Sequence, residues 1–146
     1  MNHRQDTRGE ATNGQRALYT FLGYALVAPL FAGVAVLAAL ILAPPLKLDA
    51  LIPQGAGNPG EAAIATFVWA AIPAALAGLA LAAVVWRAGT FPWISAAAAG
   101  GIAFMLAAIL LPLPAGILLT PATAFAAFVA IFVRLALVSG GIIEAR

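Results

Sequence analysis

Long apolar runs alternate along this chain with short polar or proline-rich breaks, and the breaks carry nearly all of the charge. Residues 1–16 are polar, hold three arginines and show no apolar periodicity, so they read as a disordered tail. A run without a single charge follows over 17–43. About 20 such residues cross a bilayer as a helix, and a longer run tilts. The run is therefore predicted to be a first transmembrane helix. It exceeds the roughly 7–15 apolar residues of a secretory signal, and the acids Asp6 and Glu10 precede it, which argues against that reading.

The break over 44–61 holds four prolines, three glycines and three charges, and cannot stay in hydrocarbon as a helix. Further spans are predicted over 62–86, 94–111 and 117–139. The tight turn RAGTFPW separates the second from the third, and the uncharged hairpin PLPAG the third from the fourth. Residues 142–146 are left as a C-terminal tail. The expected fold class is all-α, an integral membrane four-helix bundle.

Counting basic residues in the flanks orients it. Arg4, Arg8, Arg16, Arg87, Arg134 and Arg146 fall on one side and only Lys47 on the other, which places both termini in the cytoplasm. Tyr19, Trp86 and Trp93 lie at the same side, where interfacial aromatics belong.

Composition agrees and closes off other classes. The chain is 64% hydrophobic and 8% charged, whereas a soluble domain has about 25% charged residues. With no cysteine there is no disulfide, thiolate metal site or thiol relay, and the one histidine, His3, lies in the polar tail. A net charge of +2 is too small for a nucleic-acid footprint. The preference for Arg over Lys, with abundant Ala and Gly, reads as a high-GC bacterial source, hence the inner (plasma) membrane.

More than a quarter of the chain is alanine, and within lipid small residues let helix backbones approach. Ala62, Thr66, Ala70, Ala74, Gly78 and Ala82 form a stripe at four-residue spacing along the second span. The third span carries Ala96/Gly100 and Ala97/Gly101. The fourth carries Ala122, Ala126 and Ala130 and, one step further, Arg134. Phe125, Phe128 and Phe132 occupy another face of the fourth span and read as lipid- or partner-facing. Pro29 and Pro73 free the carbonyls of Ala25 and Trp69 and predict kinks. Residues 33–44 and 101–112 share six identities in twelve, a pattern that a parallel duplication or mere composition would both produce.

An ionisable group inside a span is the usual pointer to function, and here that group is Arg134. Its expected posture is to snorkel to the headgroups; the alternative is to face the bundle. Arg16, Arg87 and Arg134 are expected at similar depth, where together they contact an anionic lipid or a partner. No acid or histidine lies within a span, so no proton relay is expected, and no hydroxyl has a base beside it. No catalytic, cofactor-binding or metal-binding residue is expected. The reading is a non-enzymatic accessory or assembly subunit that packs against other membrane helices. The alternative is a small oligomeric transporter or channel subunit. Convergence of Arg134, Thr66 and Thr123 on one cavity would favour transport.

Overall fold

The computed structural model describes residues 12–47, 58–112 and 119–144. Among them all regular structure is helical, and four helices are long and apolar enough to cross a membrane. The first, Asn13–Leu42, is built of α1 (Asn13–Leu22), a wide π-type turn (Gly23–Val27) and α2 (Ala28–Leu42). The others are α3 (Pro59–Ala88), α4 (Trp93–Leu110) and α5 (Leu119–Ser139). The proposed disordered tail falls mostly on residues 1–11, which lie outside the described residues. So do much of the 44–61 break and most of the PLPAG hairpin.

Local chemistry sets the helix ends. α1 begins four residues before the expected 17 because Thr12 and Gln15 form a capping box. The Thr12 hydroxyl accepts from the Gln15 amide at 3.3 Å, and the Gln15 side chain accepts from the Thr12 amide at 3.0 Å. α3 starts at Pro59 rather than 62. The Asn58 side chain accepts from the Gly60 amide at 2.9 Å, and proline is well suited to the first helical position. At its other end Gly89 adopts φ 74°, a left-handed conformation that stops the helix, with its amide donating to Val85 at 2.8 Å. Pro121 falls in the first turn of α5, where a missing amide proton costs nothing. Pro73 lies buried inside α3. Pro29 differs from both: the wide turn lies just ahead of it, in the segment whose helical bonding the ring interrupts.

Residues 142–144 fold back onto the helices. The Ile142 amide donates to Leu137 at 2.9 Å and that of Gly141, at φ 68°, to Val138 at 3.0 Å, a Schellman ending. The chain then turns under, so that Ile143 is buried. The Thr90 hydroxyl donates to the Glu144 carbonyl at 2.8 Å.

The first apolar helix packs along α3 and also touches α5, while α4 packs between α3 and α5. Three glycines mark the tightest crossings. A Cβ on Gly78 would stand 2.9 Å from Tyr24 Cβ and 3.2 Å from the Phe21 carbonyl. One on Gly33 would stand 3.0 Å from the Ala63 carbonyl. On Gly100 it would meet Ala130 Cβ at 2.6 Å and the Ala126 carbonyl at 2.8 Å. The small-residue stripe of α3 is thus partly a contact line. Ala74 and Gly78 are buried, whereas Ala70 and Ala82 are half-buried. Gly101 is looser, its nearest neighbour being Thr123 Cγ2 at 3.7 Å. In the aligned segments 33–44 and 101–112 the close approach is therefore made by Gly33 in one and by Gly100, outside the alignment, in the other. The sequence match does not extend to a shared packing role.

These contacts separate neighbouring glycines. Gly100→Ala and Gly78→Ala force backbone or Cβ atoms apart and are expected to cost about 1–3 kcal/mol each. Gly101→Ala meets only ordinary contact and is expected to be neutral or slightly stabilising. Thermal midpoints of the purified variants in mild detergent give the ranking, and equal midpoints for Gly100→Ala and Gly101→Ala would refute it.

Candidate functional site

Arg16, Thr90 and Arg134 gather at the end where the α3–α4 turn meets α1 and the C-terminal segment. Arg134, near the end of α5, is 5% exposed. Its Nε donates to the Phe91 carbonyl, in the α3–α4 turn, at 2.9 Å. Its guanidinium carbon stands 5.9 Å from the centre of the Phe91 ring, at the outer reach of a cation–π contact. Phe91 is itself buried, and its ring lies 6.5 Å from that of Tyr24. The Tyr24 hydroxyl crosses from the π-type turn to donate to the Ala130 carbonyl at 2.7 Å. In an α-helix that carbonyl is also the acceptor for the Arg134 amide. Tyr24 and Arg134 therefore brace the same turn of α5, one against the first helix and one against the α3–α4 turn.

The three arginines expected to work together have different neighbours. Arg134 faces inward, so the expected snorkelling posture is replaced by a bond to a buried carbonyl. Geometry explains this: the Phe91 carbonyl gives the charged group a partner without the side chain leaving the packed interior. Arg16 is 20% exposed and stands 3.8 Å from the Glu144 carboxylate. Arg87 is exposed and lines an open trough between α1 and α3.

A cavity of about 110 Å³ lies between α2, α3, α4 and α5. Its lining is mostly apolar and includes Trp69, Phe104, Phe125 and Ala126, together with Thr66 and Tyr24. Thr66 lines this cavity, but Arg134 and Thr123 do not. The Thr123 hydroxyl instead donates to the Leu119 carbonyl at 2.8 Å and lies 3.3 Å from the Met105 sulfur. The three groups expected to converge on a polar path are therefore dispersed. Among the described residues no three His, Cys, Asp or Glu side chains come together as metal ligands.

Of the α4 and α5 stripe residues, Gly100, Ala126 and Ala130 meet at the α4–α5 crossing. Phe125 lines the cavity and Phe132 packs on Phe31 with ring centres 4.5 Å apart. Phe128 stays largely exposed. The sequence reading gave no role to the side chains of Tyr24 and Trp69 or to Phe91. Trp69 donates its indole N–H to the Pro112 carbonyl at 3.2 Å and sets its ring edgewise to Phe104 at 5.3 Å. The available signal was the polar tip of each Tyr and Trp inside an apolar run, since such a tip needs an acceptor. Nothing in the sequence marks Phe91, whose carbonyl accepts from Arg134.

Removing the Tyr24 hydroxyl by Tyr24→Phe is expected to cost about 0.6–1.7 kcal/mol, the range for a hydrogen bond between helices in a membrane. Arg134→Ala, which removes a charged donor, is expected to cost more, about 1.5–3 kcal/mol. Denaturation of the three proteins in mixed micelles measures both, and an Arg134→Ala variant as stable as the native protein would refute the bracing role.

Comparison with protein-family models, curated proteins and solved structures finds no match to this chain.

Proposed function

We propose that this protein is a non-enzymatic accessory or assembly subunit of a larger membrane complex, its four apolar helices forming a bundle in the bacterial inner membrane with both termini in the cytoplasm. The observation that carries the reading is the use of the interior polar groups. Tyr24, Trp69 and Arg134 each donate to a main-chain carbonyl on another segment of the same chain. Such groups hold helices together; none is left poised towards a substrate. The outer faces supply what an assembly subunit needs. Ile64, Val68, Ile72 and Leu76 form an exposed ridge at four-residue spacing along α3, and Ile102, Leu106 and Ile109 are exposed on α4. A ridge of this kind packs equally well against lipid or a partner helix.

The orientation rests on charge. Arg16, Arg87 and Arg134 lie towards the end where Asn13 approaches the Trp86 carbonyl and Arg16 approaches Glu144. Lys47 follows the opposite end of α2. The second reading, a small oligomeric transporter or channel subunit, draws on the half-open cavity between the helices and its Thr66 hydroxyl.

Purification from source membranes in mild detergent, followed by identification of co-purifying proteins, separates the two readings. A membrane protein recovered in fixed stoichiometry is expected. Recovery of a homo-oligomer alone, together with solute flux in reconstituted vesicles, would reverse the ranking. For the orientation, a C-terminal green fluorescent protein fusion is expected to fluoresce and a C-terminal alkaline phosphatase fusion to be inactive. The opposite pair of results would invert the topology.

A further inference from the structure

Between α1 and α3, at the basic end, runs an open trough of about 530 Å³. Its floor is made of Ala17 from α1 and Ala82 from α3, with the exposed Ala83 at its side. Large side chains stand along it: Leu18, Leu79 and Trp86 are all more than half exposed. From Leu79 to Arg87 the helix advances about 12 Å at 1.5 Å per residue, so the trough runs lengthwise within an apolar helix. Arg87, in the last turn of α3, lines it at the basic end beside the amphipathic ring of Trp86. No acidic side chain is among the lining residues.

We propose that this trough is a binding site for one anionic glycerophospholipid. The acyl chain lies over the alanine floor between the large side chains, and the phosphate of the headgroup pairs with the Arg87 guanidinium. Two features point to this occupant. The polarity changes along its length, apolar for most of the way and cationic at one end, as a phospholipid's does in reverse sign. The cation is also available there: among the ion pairs of the described residues, Arg16 engages Glu144, whereas Arg87 stands exposed on the trough. Basic pockets between transmembrane helices bind anionic headgroups by this chemistry. The site belongs to Arg87 alone, since Arg134 is turned to the Phe91 carbonyl. The proposal is independent of any partner protein.

Native mass spectrometry of the full chain in mild detergent tests it, with equimolar phosphatidylglycerol and phosphatidylcholine of identical acyl chains as probes. The native protein is expected to retain one phosphatidylglycerol in preference to phosphatidylcholine. Arg87→Gln is expected to lower that preference about fivefold, the worth of one basic residue near an anionic surface, and Arg87→Lys to restore most of it. Ala83→Phe, at an exposed position that leaves the packed interior untouched, is expected to expel both lipids while leaving Arg87 in place. Equal retention of the two headgroups by the native protein, or retention unaffected by Arg87→Gln, would overturn the proposal. A dimer that replaces the lipid adduct and is lost in Ala83→Phe would also overturn it, because the occupant would then be a second copy of this chain.

Discussion

The guanidinium of Arg134 is the most expensive group in the chain to surround with apolar side chains, and the way it is accommodated governs how the last helix sits. On an insertion scale an arginine at a helix centre costs about 2.5–3.5 kcal/mol. Here the cost is offset by the Phe91 carbonyl, by the face of the Phe91 ring and by a position near the helix end. That carbonyl is available only because the α3–α4 turn folds inward far enough to bury Phe91. The turn does so because Gly89 ends α3 abruptly and Pro92 precedes α4. The placement of α5 is thereby linked to two residues in a four-residue turn.

Small residues and polar ties act on the same crossings from two directions. In hydrocarbon the hydrophobic effect does not press helices together, so close backbone approach and interhelical hydrogen bonds must do so. At the α4–α5 crossing Gly100 admits Ala130, and the carbonyl of that same Ala130 receives the Tyr24 hydroxyl. At the crossing of the first helix with α3, Gly78 admits Tyr24 Cβ. Tyr24 thus lies at both contacts, its Cβ against one helix and its hydroxyl on another. A single side chain joins three of the four apolar helices.

The sequence makes the helices legible because charge, Arg134 excepted, falls in the breaks, where most of the prolines also lie. Four runs, their order and the sharp turn at RAGTFPW all follow from that pattern. The helix starts were less accurate, and for a specific reason. The capping side chains Thr12 and Asn58 lie outside the apolar runs that hydropathy reads, yet they extend the helices outward. The stripes identify small faces but not which member touches a neighbour. Gly100 and Gly101 are adjacent and alike in sequence, and only the first is in tight contact. Arg134 shows where reading by residue type stops. Its partner is a main-chain oxygen, and a main-chain oxygen leaves no mark in a sequence.

The wide turn over Gly23–Val27 has a consequence for how this chain tolerates changes in length. A π-type turn holds one more residue than an α-turn, and such bulges correspond to a single residue inserted into a regular helix. Both flanking segments nonetheless present their small faces, Ala17 and Thr20 on one side and Ala32 and Gly33 on the other, to the packed interior. Deleting one residue from the bulge restores a regular α-helix while both faces keep their azimuth. The same deletion in the middle of α3 would rotate half the helix by about 100° and turn Gly78 away from Tyr24. The first helix therefore contains a slack link, a place where the reading frame of side-chain directions can shift by one residue without disturbing what lies on either side.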